Sequence, residues 1–121
     1  MTSVVARFAT KEPTVCTVCH RRAMWLGFAP YNRRPIAWLC DDGGCHRAAR
    51  KVYTMPDVLL DALELGAAFE AGATAAEYLE QVGTTDLAKL SEAEWREFLR
   101  RLFVGFERVL RRKILDNEPP F

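Results

Sequence analysis

No run of eighteen consecutive apolar residues occurs in this chain of 121 residues, which excludes a hydrophobic helix long enough to cross a bilayer. The opening Met1-Thr-Ser-Val-Val-Ala-Arg-Phe-Ala-Thr10 is too short and too broken for a secretory leader, so a cytoplasmic protein is expected. Histidine is scarce, with two copies, and they complete neither an HExxH helix nor a Ser-His-Asp grouping. A glycine-rich phosphate loop, internal repeats and low-complexity tracts are also missing. Net charge is small: 17 Lys/Arg against 16 Asp/Glu leave +1, which selects no class of partner. No catalytic constellation follows from these residues, and no enzyme activity is expected.

What the chain does hold is cysteine, in two close pairs: Cys16-Thr-Val-Cys19 and Cys40-Asp-Asp-Gly-Gly-Cys45. In a 121-residue cytosolic protein, thiols stay reduced, and paired cysteines there more often hold metal than form disulfides. Two pairs of thiolates separated by a hairpin-length stretch close a tetrahedral shell around one Zn2+, so Cys16, Cys19, Cys40 and Cys45 are the expected ligands. His20 and His46 stand beside the site and offer alternatives to Cys19 and Cys45. Four thiolates leave no open coordination position, so the zinc is expected to be structural.

Taken in order, residues 1–13 read as an extended arm ended by Pro13. Residues 14–55 read as the zinc-binding unit. The first cysteine pair forms a tight turn, Ala23-Met-Trp-Leu-Gly-Phe28 a first strand, Pro30 to Pro35 a turn, and Ile36-Ala-Trp-Leu39 the returning strand. Asp41 and Asp42 cap a helix that starts near Gly43 or Gly44 and carries Cys45 in its first turn through to Tyr53. Turn, hairpin and helix in that order resemble a treble-clef zinc finger. The departure is the second pair, with four intervening residues where treble clefs usually have two.

Residues 56–121 read as helical and packed on the front as one compact domain. Pro56 suits the first turn of a helix from Asp57 towards Ala71. Val58, Ala62, Leu65 and Phe69 share one of its faces, widened by Leu59 and Leu63, and that face is expected to be core. Gly72 ends or weakens this helix, Thr74-Ala-Ala-Glu77 starts a second short one as a capping box, and Gly83 stops it. Ser91-Glu-Ala-Glu94 is another capping box, with Leu90 and Trp95 as its staple. It opens an amphipathic helix through roughly Asp116, which Gly105 bends or divides. The three tryptophans and seven phenylalanines are expected in the core. The fold class is therefore α+β, a small treble-clef-like zinc hairpin and helix against a C-terminal helical region.

Ala76-Glu-Tyr-Leu79, Gly83 through Leu90 and Glu94-Trp-Arg-Glu-Phe98 resemble the C-terminal half of an uncharacterised family of small domain-of-unknown-function proteins. That family is known from alphaproteobacteria and their phages and prophages. It is also similar at the front, where its CxxC turn corresponds to Cys16 and Cys19 and its second pair to Cys40 and Cys45. The resemblance implies a zinc-binding protein of phage or prophage association and carries no activity over.

Charge is uneven along the chain. Residues 1–55 hold nine Lys/Arg against three Asp/Glu, and residues 56–90 hold one against seven. A zinc with four thiolates has charge −2, and Arg21, Arg22, Arg47 and Arg50 lie within a few residues of a ligand, which accounts for them as neutralising groups. The hairpin tip, Tyr31-Asn32-Arg33-Arg34, is the candidate contact surface, since an aromatic and two guanidinium groups suit phosphates and stacked bases; a solvated turn is the competing reading. The arginines of the last helix pair with glutamates at i,i+4, as Glu97 with Arg101 and Glu107 with Arg111, and read as a salt-bridged solvent face. Cys16-Thr-Val-Cys19-His20 matches the CxxCH haem-attachment pattern, but c-type haem is attached outside the cytosol and the second cysteine pair would then have no purpose. A thioredoxin-like redox centre lacks its βαβ surroundings.

The expectation from sequence is thus a non-enzymatic, zinc-stabilised interaction protein with a macromolecular partner, a protein target rather than nucleic acid, and no membrane. The competing expectation is a nucleic-acid-binding regulator using the basic hairpin tip. The tail Pro119-Pro120-Phe121 has three candidate docking sites: its own domain, a second copy or a target.

Overall fold

A computed structural model of the protein describes residues 14–29 and 36–116. The expected arm over residues 1–13, the turn Tyr31-Asn32-Arg33-Arg34 and the tail Pro119-Pro120-Phe121 lie outside the described residues.

The described residues begin with a tight cysteine turn closed by an antiparallel bridge between Val15 and Arg22. Cys16 donates its backbone N–H to the Arg21 carbonyl at 2.6 Å, and His20 donates back to the Cys16 carbonyl at 3.0 Å. Two strands follow, β1 (Leu26–Phe28) and β2 (Ala37–Leu39), paired antiparallel with Leu26 opposite Leu39 and Phe28 opposite Ala37. The cysteine turn is sewn to β2 by Thr17 N–H donating to the Trp38 carbonyl and Met24 N–H to the Leu39 carbonyl, both at 2.9 Å. β1 is shorter than the six residues read from sequence, because Trp25 lies in the left-handed region at φ 60 and interrupts the extended backbone before Leu26, while Ala23 N–H turns to the Thr14 carbonyl. Glycine is required at position 27. A Cβ there would meet Ile36 Cγ2 at 2.5 Å and the Trp38 ring at 3.3 Å.

Helix α1 (Gly43–Thr54) starts where the aspartates placed it: Asp42 is the N-cap, and its Oδ1 accepts from Gly44 N–H at 2.7 Å. Satisfying an otherwise orphaned N–H in this way fixes the register of the first turn, which carries Cys45. Pro56 then precedes α2 (Asp57–Val82), and α3 (Glu92–Asp116) follows a 3-10 turn at Leu87–Lys89. The Ser91 box forms as read: Glu94 N–H donates to Ser91 Oγ at 3.2 Å and Ser91 N–H to Glu94 Oε1 at 2.9 Å. Gly83 ends α2 in the left-handed region at φ 93, its N–H on the Leu79 carbonyl. A two-stranded antiparallel hairpin and three α-helices among the described residues make the protein α+β, with the helical C-terminal region packed on the hairpin unit.

Three expectations for the helical region are corrected. The α2 helix does not break near Gly72, and Thr74 is no cap: its hydroxyl donates to the Glu70 carbonyl at 3.3 Å, within the helix. A helix-interior glycine costs only about 1 kcal/mol relative to alanine, which packing against α3 outweighs. The second correction concerns the face. Val58, Leu65 and Phe69 are 72%, 74% and 81% exposed, and Ala62 is exposed with them, while Leu60, Ala67, Ala71 and Ala75 are buried. The inner face is built of small residues because α3 comes close: a Cβ at Gly105 would sit 3.3 Å from Ala71 Cβ. Gly105 therefore does not divide α3, which is continuous; it is a contact point of the crossing.

Leu60 of α2, Leu110 and Ile114 of α3 and Val52 of α1 close one buried cluster with Val18, Leu39 and all four cysteines. Polar bonds hold its edges. Lys51 Nζ donates to the Leu115 carbonyl at 2.7 Å, a cation on the C-terminal end of α3. Glu70 of α2 receives Arg112 at 2.8 Å and Lys113 at 3.3 Å from α3. The tryptophans and phenylalanines are less buried than expected: Trp25 is 74% exposed, Phe103 63% and Trp95 41%. No helix among the described residues is long and apolar enough to cross a membrane.

Candidate metal centre

Three pieces of backbone deliver the four cysteines. The bridged turn gives Cys16 and Cys19, the end of β2 gives Cys40, and the first turn of α1 gives Cys45. All four side chains are buried, at 0–1% exposure, and their sulfurs lie within 4.8 Å of one another. Cys19 Sγ and Cys40 Sγ are 3.8 Å apart. A disulfide needs about 2.05 Å, whereas a tetrahedron with metal–sulfur bonds of about 2.3 Å has edges of roughly 3.8 Å. The Cys19–Cys40 spacing therefore matches one edge of such a tetrahedron, and the four sulfurs lie close enough together that they could hold one metal ion.

The charge on the sulfurs argues the same way. Cys16 is the thiol most easily ionised, because Cys19 and then Cys45 hydrogen-bond to it. That same bond to the Cys16 sulfur pushes Cys19 up to about 12, and Cys45 is driven up by its bonds to Cys16 and Cys19 and by burial. One thiolate in the cluster thus opposes the next; a cation among the sulfurs removes that opposition.

Neither histidine belongs to the sulfur cluster. His46 Nε2 is 2.8 Å from the Cys40 carbonyl oxygen, holding the end of β2 against α1. His20, in the left-handed region at φ 69, turns outward: its Nε2 is 3.2 Å from Glu64 Oε1 of α2 and its ring lies 5.8 Å from that of Phe106. The asymmetry of roles follows from the turn. The positive φ that lets the backbone curl around the sulfurs aims the His20 side chain away from them.

The surrounding positive charge is only partly the set read from sequence. Arg21 does face the site, bridging Glu107 at 3.5 Å and Asp41 at 3.8 Å; Glu107, then the sulfurs of Cys40 and Cys19, raise its pKa against burial. Arg50 instead lies over the Phe28 ring, 5.5 Å from its centroid. The group sequence reasoning missed is Arg111 of α3. Its Nη1 donates to Cys45 Sγ at 3.8 Å and its Nη2 is 3.6 Å from Asp42 Oδ2. Burial works against the Arg111 charge, yet the bond to Cys45 and the attraction of the sulfurs and Asp42 prevail and raise its pKa. Glu107 lies 3.9 Å from Arg111 as well as near Arg21, so α3 reaches the site through an Arg21–Glu107–Arg111 chain. A separation of 66 residues hides that contact; the available signal was the Glu107 to Arg111 pairing, which reads equally well as surface.

The sequence profile described as Family of unknown function (DUF6511) matches residues 58–121, just over half of the chain. The chain belongs to that family. No curated protein and no solved structure matches it. What DUF6511 matches here is α2, the 3-10 turn and α3, so all four cysteines lie ahead of the matched segment. The DUF6511 segment nevertheless brings Glu107 and Arg111 to the cysteine cluster, together with Leu110 and Ile114 to the core beside it. The candidate contact residues Tyr31, Asn32, Arg33 and Arg34 lie outside the described residues.

Proposed function

We propose that the protein is a non-enzymatic interaction protein whose front half is held by one structural Zn2+ on Cys16, Cys19, Cys40 and Cys45, and that its partner is another protein. The observation that carries the zinc reading is the convergence of four buried sulfurs within 4.8 Å of one another, one pair of them 3.8 Å apart. Thiolate ligands select zinc over calcium or magnesium, and a shell of four leaves no position for a substrate. Support for a partner comes from apolar surface: Met24, Trp25, Leu26 and Ile36 of the hairpin unit are 51%, 74%, 42% and 40% exposed. Exposed clusters of this kind, next to a rigid centre, are the usual raw material of protein contacts. The reading includes the cytoplasmic location and the phage or prophage origin that the family resemblance implies.

The first test is elemental analysis with an absorption spectrum. Close to one zinc per chain is expected; iron with a Soret band would overturn the reading. Titration with random DNA and RNA across a salt series tests the partner class. No binding is expected at low salt, and affinity lost steeply with added salt would instead assign a nucleic-acid regulator.

Arg111 offers a sharper check. Its guanidinium shares a hydrogen bond with Cys45 and compensates thiolate charge, and such outer-shell partners typically contribute 10–100-fold to metal affinity. Arg111→Gln is expected to weaken zinc retention on the order of tenfold in a chelator competition. Retention equal to wild type would show that Arg21 and the backbone suffice.

A further inference from the structure

Helix α2 carries a second apolar stripe that the described residues leave uncovered. Val58, Ala62, Leu65, Phe69, Gly72 and Ala76 follow one another at steps of four, three, four, three and four residues. That period of 3.5 is the seam of a helix that meets another helix along its length. The opposite side of α2, with Leu60, Ala67, Ala71 and Ala75, is the one buried against the domain. Val58, Leu65 and Phe69 are each more than 70% exposed. The stripe is bulky in its first half and small in its second, so an occupant can place its own large side chains over Gly72 and Ala76.

The charge around the stripe says what kind of helix fits. Over its 26 residues α2 holds Asp57, Asp61, Glu64, Glu70, Glu77 and Glu80 and no Lys or Arg. Glu70 is already answered by Arg112 and Lys113 of α3, and Glu64 by His20. Glu77 and Glu80 are exposed beside the second half of the stripe. Two copies joined through α2 would set acidic borders against each other, which electrostatic complementarity disfavours. A helix with an apolar seam and Lys/Arg flanks meets both requirements.

We infer that the outer face of α2 is a docking site for a basic amphipathic helix of another protein, centred on Leu65 and Phe69. The inference deepens the interaction reading above and rests on it for the partner class, but it needs no property of the zinc site. Apolar contact at the seam supplies the affinity, and the carboxylates orient the ligand and exclude acidic helices.

The probe is a labelled synthetic peptide of 18 or so residues with leucine at the seam positions and lysine elsewhere, long enough for about five turns. Its twin carries glutamate for lysine. Fluorescence anisotropy against the full chain is expected to show saturable binding of the lysine peptide near the ten-micromolar range, about −7 kcal/mol by the affinity relation, and none of the glutamate twin. Leu65→Ser with Phe69→Ser is expected to weaken binding at least about tenfold without moving the thermal midpoint, since both side chains are exposed. Three results would overturn the inference: no saturable binding at about 100 µM, equal binding by the double variant, or a wild-type dimer in sedimentation that the double variant abolishes. The last would assign the face to a second copy. Zinc is measured on the same samples, so a full complement of metal without peptide binding removes the docking face alone, and peptide binding without zinc removes the metal reading alone.

Discussion

Cys40→Ser is expected to release the metal and unfold residues 14–55 while α2 and α3 stay helical. Cys40 is wholly buried, its sulfur lies 3.8 Å from Cys19 Sγ, and Asp42, two residues on, donates its backbone N–H to the sulfur at 3.4 Å. The front half has two strands of three residues each and one twelve-residue helix, too little apolar surface to stand alone. A structural zinc contributes apparent binding free energy on the order of 10 kcal/mol, comparable with the entire stability of an ordinary domain. On the proposed zinc reading, removing one ligand of four takes away most of what closes the hairpin unit. The helices have support of their own, in the Ala71–Gly105 crossing and the Glu70 bridge to Arg112 and Lys113.

The tryptophans report on the two parts separately. Trp25 and Trp38 sit in the hairpin unit and Trp95 in α3. In Cys40→Ser the indole resonances of Trp25 and Trp38 should collapse to random-coil positions, zinc per chain should fall well below one, and Trp95 should keep its native shift beside Phe98, whose ring is stacked 5.8 Å away. Chelation of the wild-type protein should give the same pattern. Native shifts for all three indoles after complete loss of zinc would mean that the hairpin unit is held by packing alone.

The contrast between the two halves explains what could be read from the residues and what could not. Cysteine pairs, the Asp42 cap, the Ser91–Glu94 box and the Gly83 stop are local signals: each needs only neighbours a few positions away, and each appears where its chemistry requires. The clustering of the four cysteines was legible for that reason, since side chains with a particular chemistry announce themselves by type and spacing. Arg111 at Cys45 was not, because nothing in a Glu–Arg spacing of four distinguishes a surface pair from one that reaches across the fold. The α2 helix misled for a different reason. It has two apolar stripes on opposite sides, and hydrophobic weight favours Val58, Leu65 and Phe69 over the alanines. Close approach to a glycine on α3 selects the alanines instead. Size complementarity between two helices is a property of the pair, absent from either sequence taken singly.

The same contrast gives the second large expected effect. Leu110→Ala should destabilise the protein by about 2–5 kcal/mol, because Leu110 is fully buried between the helices and the cysteine unit and its loss leaves a cavity. Its thermal midpoint should fall by on the order of 10 °C. Phe69→Ala, a larger truncation on a residue that hydrophobic periodicity assigns to the core, should change stability by no more than about 0.5 kcal/mol, because the ring is 81% exposed. Chemical denaturation of the two variants at dilute and at high protein concentration decides the matter. A loss for Phe69→Ala that rivals Leu110→Ala and is independent of concentration would return the stripe to the core of a single chain. One that appears only at high concentration would show a second copy covering it. Near neutrality at both leaves the face open, as docking of a foreign helix on Leu65 and Phe69 requires.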